Sequence, residues 1–194
     1  MHATFANLHD SRRRGFTLIE MLTVAVLIGI LTAFVAPRID FTSYRVNGAM
    51  RGIGTTLLSA QRVAVTRGYD VVVEFNSANN SISILDDANN NGVADAGEHV
   101  VGMPLGDLIV FGRGGAPSLD GTSDDITFTQ INGGLPSVTF HRDGSASQAG
   151  TIYLTSVRAA AGSVATDARA ITTDRATGRV SWYAYDGNSW VRGF

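Results

Sequence analysis

The chain has no cysteine and no lysine among its 194 residues. Without cysteine, no disulfide can cross-link the fold and thiol chemistry is excluded. Every basic side chain is an arginine, and these nearly balance 17 acidic residues, which leaves a formal net charge of −2. This balance argues against nonspecific electrostatic binding of nucleic acid by the surface as a whole.

Signatures of catalysis are also missing. Of the 4 histidines, His99 and His141 are the two that follow the N-terminal segment. Neither belongs to a motif that links a histidine to a nucleophile or a metal, and no phosphate loop or dinucleotide fingerprint occurs. We therefore expect a protein that is not an enzyme.

The longest apolar run lies between residues 16 and 36, where Glu20 is the one charged residue. As a helix, this run spans about 30 Å, enough to cross a bilayer core. Arg12, Arg13 and Arg14 precede it, so this end is expected in the cytoplasm and the rest of the chain outside. A carboxylate within a membrane helix is costly, so Glu20 is expected to have a function.

Three interpretations of this segment compete. A cleaved secretory signal peptide explains the arginines, but Glu20 interrupts its apolar run and no small-x-small site precedes Pro37. A plain single-span anchor explains length and orientation, but gives no reason for the order Gly15-Phe16-Thr17-Leu18-Ile19-Glu20. That order resembles the processing site of type IV pilins and type II secretion pseudopilins, with glycine at the cut and glutamate at the fifth mature position.

The resemblance implies a pathway of maturation and assembly. Residues 1–15 are a class III prepilin leader, and prepilin peptidase cuts between Gly15 and Phe16 and methylates the Phe16 amine. Residues 16–37 then form a transmembrane helix and later part of a filament core. Within that core, Glu20 offsets the positive amine of a neighbouring subunit, an attraction that is strong where water is excluded.

The helix is predicted to continue beyond Pro37, with a kink or a loosened turn at the proline. Residues 38–68 form an amphipathic second half that we expect to pack against the head, and Gly68 is a suitable stop. Three glycines weaken this half by up to about 1 kcal/mol each relative to alanine. The apolar stripe consists of Val46, Met50, Ile53, Leu57, Ala60 and Ala64, and the glycines are Gly48, Gly52 and Gly54.

Beyond residue 68 the apolar residues alternate, which predicts strands. A hairpin is predicted, with strands at 71–75 and 81–85 and a turn at 76–80. A loop is predicted at 112–125. The segment 159–166 is predicted to be either a loop or the end of a strand. Further strands are predicted at 108–111, 126–131, 138–141, 151–154, 170–173, 179–185 and 190–191. One helix followed by many strands predicts an α+β fold with mostly antiparallel pairing and a head over residues 69–194.

The segments 138–145, 150–154 and 177–180 look like the head of the GspH/FimT family of minor pseudopilins and minor pilins. This resemblance implies the pilin fold, in which a long N-terminal helix packs on an antiparallel β-sheet head. It also implies a single-pass protein of the bacterial inner membrane, with its head in the periplasm, which joins a filament of other pilin subunits. Its function is then in type II secretion or a type IV pilus, or alternatively as a DNA receptor of a competence pilus.

Residues 87–98 fit the twelve-residue calcium-loop pattern at every specified position, with Gly92 at the sharp turn. The flanks resemble strands, so this is no complete EF-hand. Three carboxylates predict weak affinity for Ca²⁺, of about 10⁻⁴–10⁻³ M. The alternative is a polar surface loop that binds nothing. The predicted ligands are Asp87, Asn89, Asn91, the carbonyl of Val93, Asp95 and Glu98.

The C-terminal region mixes cationic and aromatic side chains. Such a mixture can bind single-stranded DNA through charge and stacking, as some FimT-like minor pilins do. The alternative is ordinary hairpin packing with the arginines on the wet face. The predicted DNA contacts are Arg175, Arg179 and Arg192, which lie among Trp182, Tyr183 and Trp190.

Overall fold

The computed structural model describes residues 15–35, 41–162 and 164–193. Within these residues it contains three α-helices, one 3₁₀ turn and ten strands. The helices are α1 (Leu18–Val35), α2 (Thr42–Arg67) and α3 (Val157–Ala160), and the 3₁₀ turn is Ala165–Asp167. The strands are β1 (Asp70–Asn76), β2 (Ser81–Asp87), β3 (His99–Pro104), β4 (Ile109–Phe111), β5 (Gln130–Asn132), β6 (Leu135–Phe140), β7 (Gly150–Ser156), β8 (Arg169–Thr173), β9 (Val180–Tyr185) and β10 (Trp190–Arg192).

Helix α1 forms part of a separate N-terminal unit. It begins at Leu18, two residues after the predicted start at Phe16, and its side chains from residue 18 to 33 are exposed. Among the described residues, no helix is both long and apolar enough to cross a membrane. The predicted kink at Pro37 lies outside the described residues.

Helix α2 belongs to the second unit, which begins at Phe41. All six residues of the predicted apolar stripe are buried, which confirms the amphipathic prediction. The helix ends where expected, because Gly68 adopts the left-handed conformation (φ 75°) and donates its N–H to the carbonyl of Ala64. Glycine takes this conformation at little cost, so it is the usual residue after a helix.

Two five-stranded sheets surround α2. The first sheet has the order β3-β2-β1-β6-β5, and the second has the order β10-β9-β8-β7-β4. All pairings are antiparallel, and the predicted hairpin of β1 and β2 is confirmed, with Asp70 opposite Asp87. One apolar core joins α2 to both sheets. The head therefore has the predicted α+β architecture, a helix packed on antiparallel sheets.

Three predicted strands start later than expected, and one of them is β9, which starts at Val180 and not at residue 179. Leu108 has a positive φ of 65°, outside the extended region, so β4 starts at Ile109. The prediction of a strand over 126–131 was wrong for most of its length. Ile126 makes an isolated bridge to Ile152, and the side-chain oxygen of Gln148 accepts the N–H of Thr129 in place of a strand partner. Only the last two residues of that range belong to β5.

The segment 159–166 is neither a strand end nor a simple loop. It contains the end of α3 and the start of the 3₁₀ turn. Ser156 caps α3 by accepting the N–H of Ala159 on its hydroxyl oxygen, which is the usual role of serine before a helix.

Strand β3 follows the predicted calcium loop, so the strand-like flanks predicted for that loop are confirmed. It lies at the edge of the first sheet and pairs on one side only, with β2. Its side chains are exposed apart from the partly covered Met103. Among the described strands, the other three sheet edges are only three residues long.

Candidate functional site

The N-terminus of α1 is closed by a reciprocal pair of hydrogen bonds. Glu20 Oε2 accepts both the backbone N–H and the hydroxyl of Thr17, each at 2.9 Å. The Thr17 hydroxyl oxygen in turn accepts the N–H of Glu20 at 3.2 Å. This is a capping box, which satisfies N–H groups that have no partner within the helix. This role of Glu20 was not predicted from the sequence, although threonine followed three residues later by glutamate is the signature of a capping box.

The capping box uses only one oxygen of the carboxylate. Glu20 Oε1 has no hydrogen-bond partner among the described residues. Gly15 and Phe16 precede the helix; a β-carbon at Gly15 would meet no described atom within 4 Å, and Phe16 is 81% exposed. The predicted cleavage point is thus an accessible, non-helical segment next to a carboxylate with a free oxygen.

The predicted calcium loop is held together by hydrogen bonds to its own side chains. Asp87 is 2% exposed and accepts the backbone N–H groups of Asn91 and Gly92. Glu98 accepts the N–H groups of Ala88 and Asp95. Gly92 has a φ of 73°, as the sharp turn of the pattern requires. The first and last predicted ligands therefore already anchor the two ends of the loop.

The middle of the loop is arranged differently from a filled calcium site. Asp95 Oδ2 accepts the side-chain N–H groups of Asn89 and Asn91, each at 2.7 Å, and these hydrogen bonds lower the pKa of Asp95. Among the described residues, no three histidine or acidic side chains are grouped closely enough to hold a metal. Calcium binding would require both asparagines to turn their oxygens inward.

The three predicted DNA-contacting arginines do not share one site. Arg179 and Arg192 line the same open cavity, and Arg192 donates a hydrogen bond to the Ser181 hydroxyl. Arg175 lines a different cavity, next to His141 and Ser145.

The aromatic residues of this group are divided between the faces of the second sheet. Trp182 packs toward α2, directly against Gly54. Trp190 lies on the other face, where its ring meets those of Tyr153 and Tyr185. Its indole N–H donates to the carbonyl of Pro117, so the loop over 112–125 covers this ring. The two tryptophans therefore do not form one stacking surface.

The two histidines occupy separate positions. His141 Nδ1 lies 2.9 Å from Asp70 Oδ2, an interaction that ties the end of β6 to the start of β1. His99 is mostly exposed at the start of β3, 3.9 Å from Asp86. The structure does not bring them together.

One side chain of α2 connects two turns of the head. The Gln61 amide donates to the carbonyls of Gly144 and Thr177, at 2.6 and 2.7 Å. Gly178 packs against the same amide, and any side chain there would collide with it. Gln61 thus fixes to the helix two turns, at 143–145 and 177–178, which lie in two of the segments that carry the head resemblance.

Comparison with known proteins identifies the family. Residues 49–178, more than half of the chain, match the family described as type II transport protein GspH. The chain belongs to the GspH family. In this GspH-family chain, residues 10–36 also match the prokaryotic N-terminal methylation motif, a segment that contains Gly15, Phe16 and Glu20. Arg179 and Arg192 lie beyond the part that matches GspH.

The fold agrees with this assignment. The structure of the minor pseudopilin EpsH from the type 2 secretion system of Vibrio cholerae superposes with a TM-score of 0.50. The superposition covers 72% of the GspH-family chain and 97% of EpsH, at 12% sequence identity. At that identity the likeness shows a shared fold. No protein with a curated description matches the chain.

Proposed function

We propose that this GspH-family protein is a minor pseudopilin of type II secretion, a structural subunit rather than an enzyme. The observation that carries the proposal is the combination of a GspH head with an N-terminal methylation motif in one chain. Prepilin peptidase removes residues 1–15 and methylates Phe16. The apolar segment then anchors the protein in the bacterial inner membrane with the head in the periplasm, until the segment packs among other pilin subunits in a filament.

The capping box gives this assembly step a physical basis. Cleavage after Gly15 makes Phe16 a charged N-terminus, which must be neutralised once it is surrounded by apolar helices. Glu20 already holds one oxygen against Thr17, and its other oxygen has no partner in the described chain. We propose that this second oxygen accepts a hydrogen bond from the charged Phe16 amine of the neighbouring subunit.

Mass spectrometry of protein purified from membranes tests the processing step. We expect a mature chain that begins with N-methylated Phe16. A Gly15→Ala change should reduce cleavage less than a large residue at position 15, because the cut requires a small residue there. An intact leader, or a cut near Ala36, would remove the basis of the proposal.

DNA uptake is the alternative function. It predicts a continuous basic and aromatic surface, whereas Arg175 lines a separate cavity from Arg179 and Arg192. An electrophoretic shift of single-stranded DNA by the purified protein, lost in an Arg179→Gln, Arg192→Gln double variant, would favour DNA uptake over secretion.

We also propose that the loop over 87–98 binds Ca²⁺ weakly. Support comes from Asp87 and Glu98, which stand at the first and last positions of the pattern with their carboxylates already fixed by backbone N–H groups. Calcium supplies positive charge to these acidic groups when bound. Asn89, Asn91 and Asp95 would hold the ion through their side-chain oxygens, in place of the hydrogen bonds that now join the two asparagines to Asp95.

Thermal unfolding with and without Ca²⁺ tests the loop. A ligand that binds only the folded state at tenfold excess over its Kd stabilises by about 1.4 kcal/mol, so the melting temperature should rise. Glu98→Gln should abolish the rise because it removes a bidentate carboxylate. Asp124→Asn, in a different acidic loop, serves as a control that keeps the rise. If millimolar Ca²⁺ leaves the melting temperature unchanged, the loop is a polar connection that binds nothing.

A further inference from the structure

A cavity of about 400 Å³ lies between α2 and the strands β8 and β9. Apolar wall is contributed by Met50, Ala184 and the ring of Trp182. Two arginines, Arg51 and Arg169, also line it, and no acidic residue of the described chain does. The cavity therefore combines an apolar wall with positive charge, although the protein as a whole carries a negative net charge.

The unusual member of this wall is Arg169, which is 6% exposed. Its Nε donates to the side-chain oxygen of Asn47 at 2.7 Å, and its Nη1 donates to the carbonyls of Thr166 and Ala168. Its Nη2 has no hydrogen-bond partner in the described part of the chain. Burial lowers the pKa of Arg169, but an arginine stays charged at neutral pH.

No carboxylate neutralises this buried charge directly. The charge of Asp167 partly offsets the effect of burial on the pKa of Arg169, but Asp167 makes its ion pair with Arg158, with Nε and Oδ2 separated by 3.0 Å. An isolated buried charge is expensive unless it has an ionic partner. Arg51, at the opening, likewise has no ion pair among the described residues. Among the described residues, the two guanidinium groups of the cavity thus have no carboxylate in direct contact.

We propose that this cavity binds the side-chain carboxylate of an aspartate or glutamate that lies beside an apolar residue in a partner polypeptide. A carboxylate matches the paired N–H donors of guanidinium groups in geometry and charge. The apolar neighbour of that acid would pack on Met50 and Trp182, in the arrangement of a buried anchor at a protein interface. The apolar wall favours a peptide over a phosphate, which offers nothing to pack there.

The two tryptophans allow a direct test, because Trp182 lines the cavity and Trp190 lies on the opposite face of the sheet. The mature full-length protein in detergent micelles is titrated with a blocked peptide, Ala-Leu-Glu-Leu-Ala, and with its glutamine counterpart. The indole N–H resonances are followed by NMR. We expect the glutamate peptide to shift the Trp182 resonance saturably and to leave Trp190 unchanged, with the glutamine peptide at least about tenfold weaker.

Variants separate the charge from the fold. Arg51→Gln should weaken binding of the glutamate peptide about tenfold. It should leave the melting temperature of the protein unchanged, because Arg51 is exposed. Arg62→Gln, an exposed position of α2 that does not line the cavity, should change nothing. The proposal fails if the Trp182 resonance does not move, if both peptides bind equally, or if inorganic phosphate binds with the same Arg51 dependence while the peptide does not.

Discussion

At the scale of single residues, the three glycines of α2 differ in what surrounds them. A β-carbon at Gly54 would collide with the indole ring of Trp182, which packs against the helix at that point. The same atom at Gly48 or Gly52 would meet open space. All three reduce the intrinsic helix propensity, but only Gly54 is required by a neighbour within the head.

Alanine substitutions distinguish these glycines. Gly54→Ala should lower the free energy of unfolding by about 1–3 kcal/mol, because the added methyl group would overlap the indole ring of Trp182 and force it to shift. Gly48→Ala should raise it by up to about 1 kcal/mol, because alanine favours the helix and displaces nothing. Urea unfolding of the two variants measures both effects. If Gly54→Ala instead raises the free energy of unfolding as much as Gly48→Ala does, Trp182 moves aside freely.

The requirement at Gly54 could not be found from the sequence. Helix propensity depends on the residue itself, so all three glycines look alike in a one-dimensional pattern. The partner that distinguishes them, Trp182, lies on β9 near the other end of the chain. Only the packing of the second sheet onto α2 brings the two residues together.

At the scale of secondary-structure elements, the start of α1 combines a structural and an assembly role in one side chain. Glutamate and glutamine both serve at this position of a capping box. Only glutamate carries the charge that would neutralise a neighbour's amine. The two roles are therefore separable by substitutions of Glu20.

Glu20→Gln should leave expression, membrane insertion, cleavage and the capped helix intact, while incorporation into the filament fails. Glu20→Ala should fail in the same way and also lose the two hydrogen bonds that Glu20 accepts from Thr17. Crosslinking of each variant to its filament partners in membranes is the measurement. If both variants are incorporated normally, Glu20 is a helix cap and the amine pairing is wrong.

Prediction at this scale succeeded where the periodicity was strong. The stripe of α2 and the hairpin of β1 and β2 follow from spacings of three to four and of two, which core packing imposes directly. Prediction failed at 126–131, where the side chain of Gln148 accepts the hydrogen bond from the Thr129 N–H that a neighbouring strand would have accepted. A side chain that replaces a backbone partner leaves no trace in hydrophobic periodicity.

At the scale of the whole molecule, both sheets depend on one helix. The core contains α2 residues such as Leu57 together with Val73 from the first sheet and Ile171 from the second. That core draws on residues of α2 and of both sheets alike. Unfolding of the unit that starts at Phe41 should accordingly be a single cooperative step.

Leu57→Ala should lower the free energy of unfolding by about 2–5 kcal/mol, because it leaves a cavity between the helix and the sheets. Hydrogen exchange followed by mass spectrometry should show equal loss of protection in β1 and β8, one strand from each sheet. Val65→Ala, at a position of the same helix that is 52% exposed, is the control and should change stability by no more than about 0.5 kcal/mol. A loss confined to one sheet would mean that the sheets unfold independently.

The class of fold was predictable at this scale, whereas the division into two sheets was not. One helix followed by alternating segments is sufficient to predict an α+β fold with antiparallel strands. The strands that pair with β1 and β8 depend on which strands pack on each side of α2. That choice is made by side-chain packing across long separations in sequence.

The uncovered edge at β3 has a practical consequence for the solubility of the purified protein. Its six residues expose unpaired backbone groups beside Val100 and Val101, which are 52% and 40% exposed. Long apolar edges of this kind join other edges and lead to aggregation, and many proteins protect them with lysine, a residue that this chain lacks. Concentrated preparations are therefore most vulnerable to precipitation here, and lysine in place of Val100, the more exposed of the two valines, should reduce it.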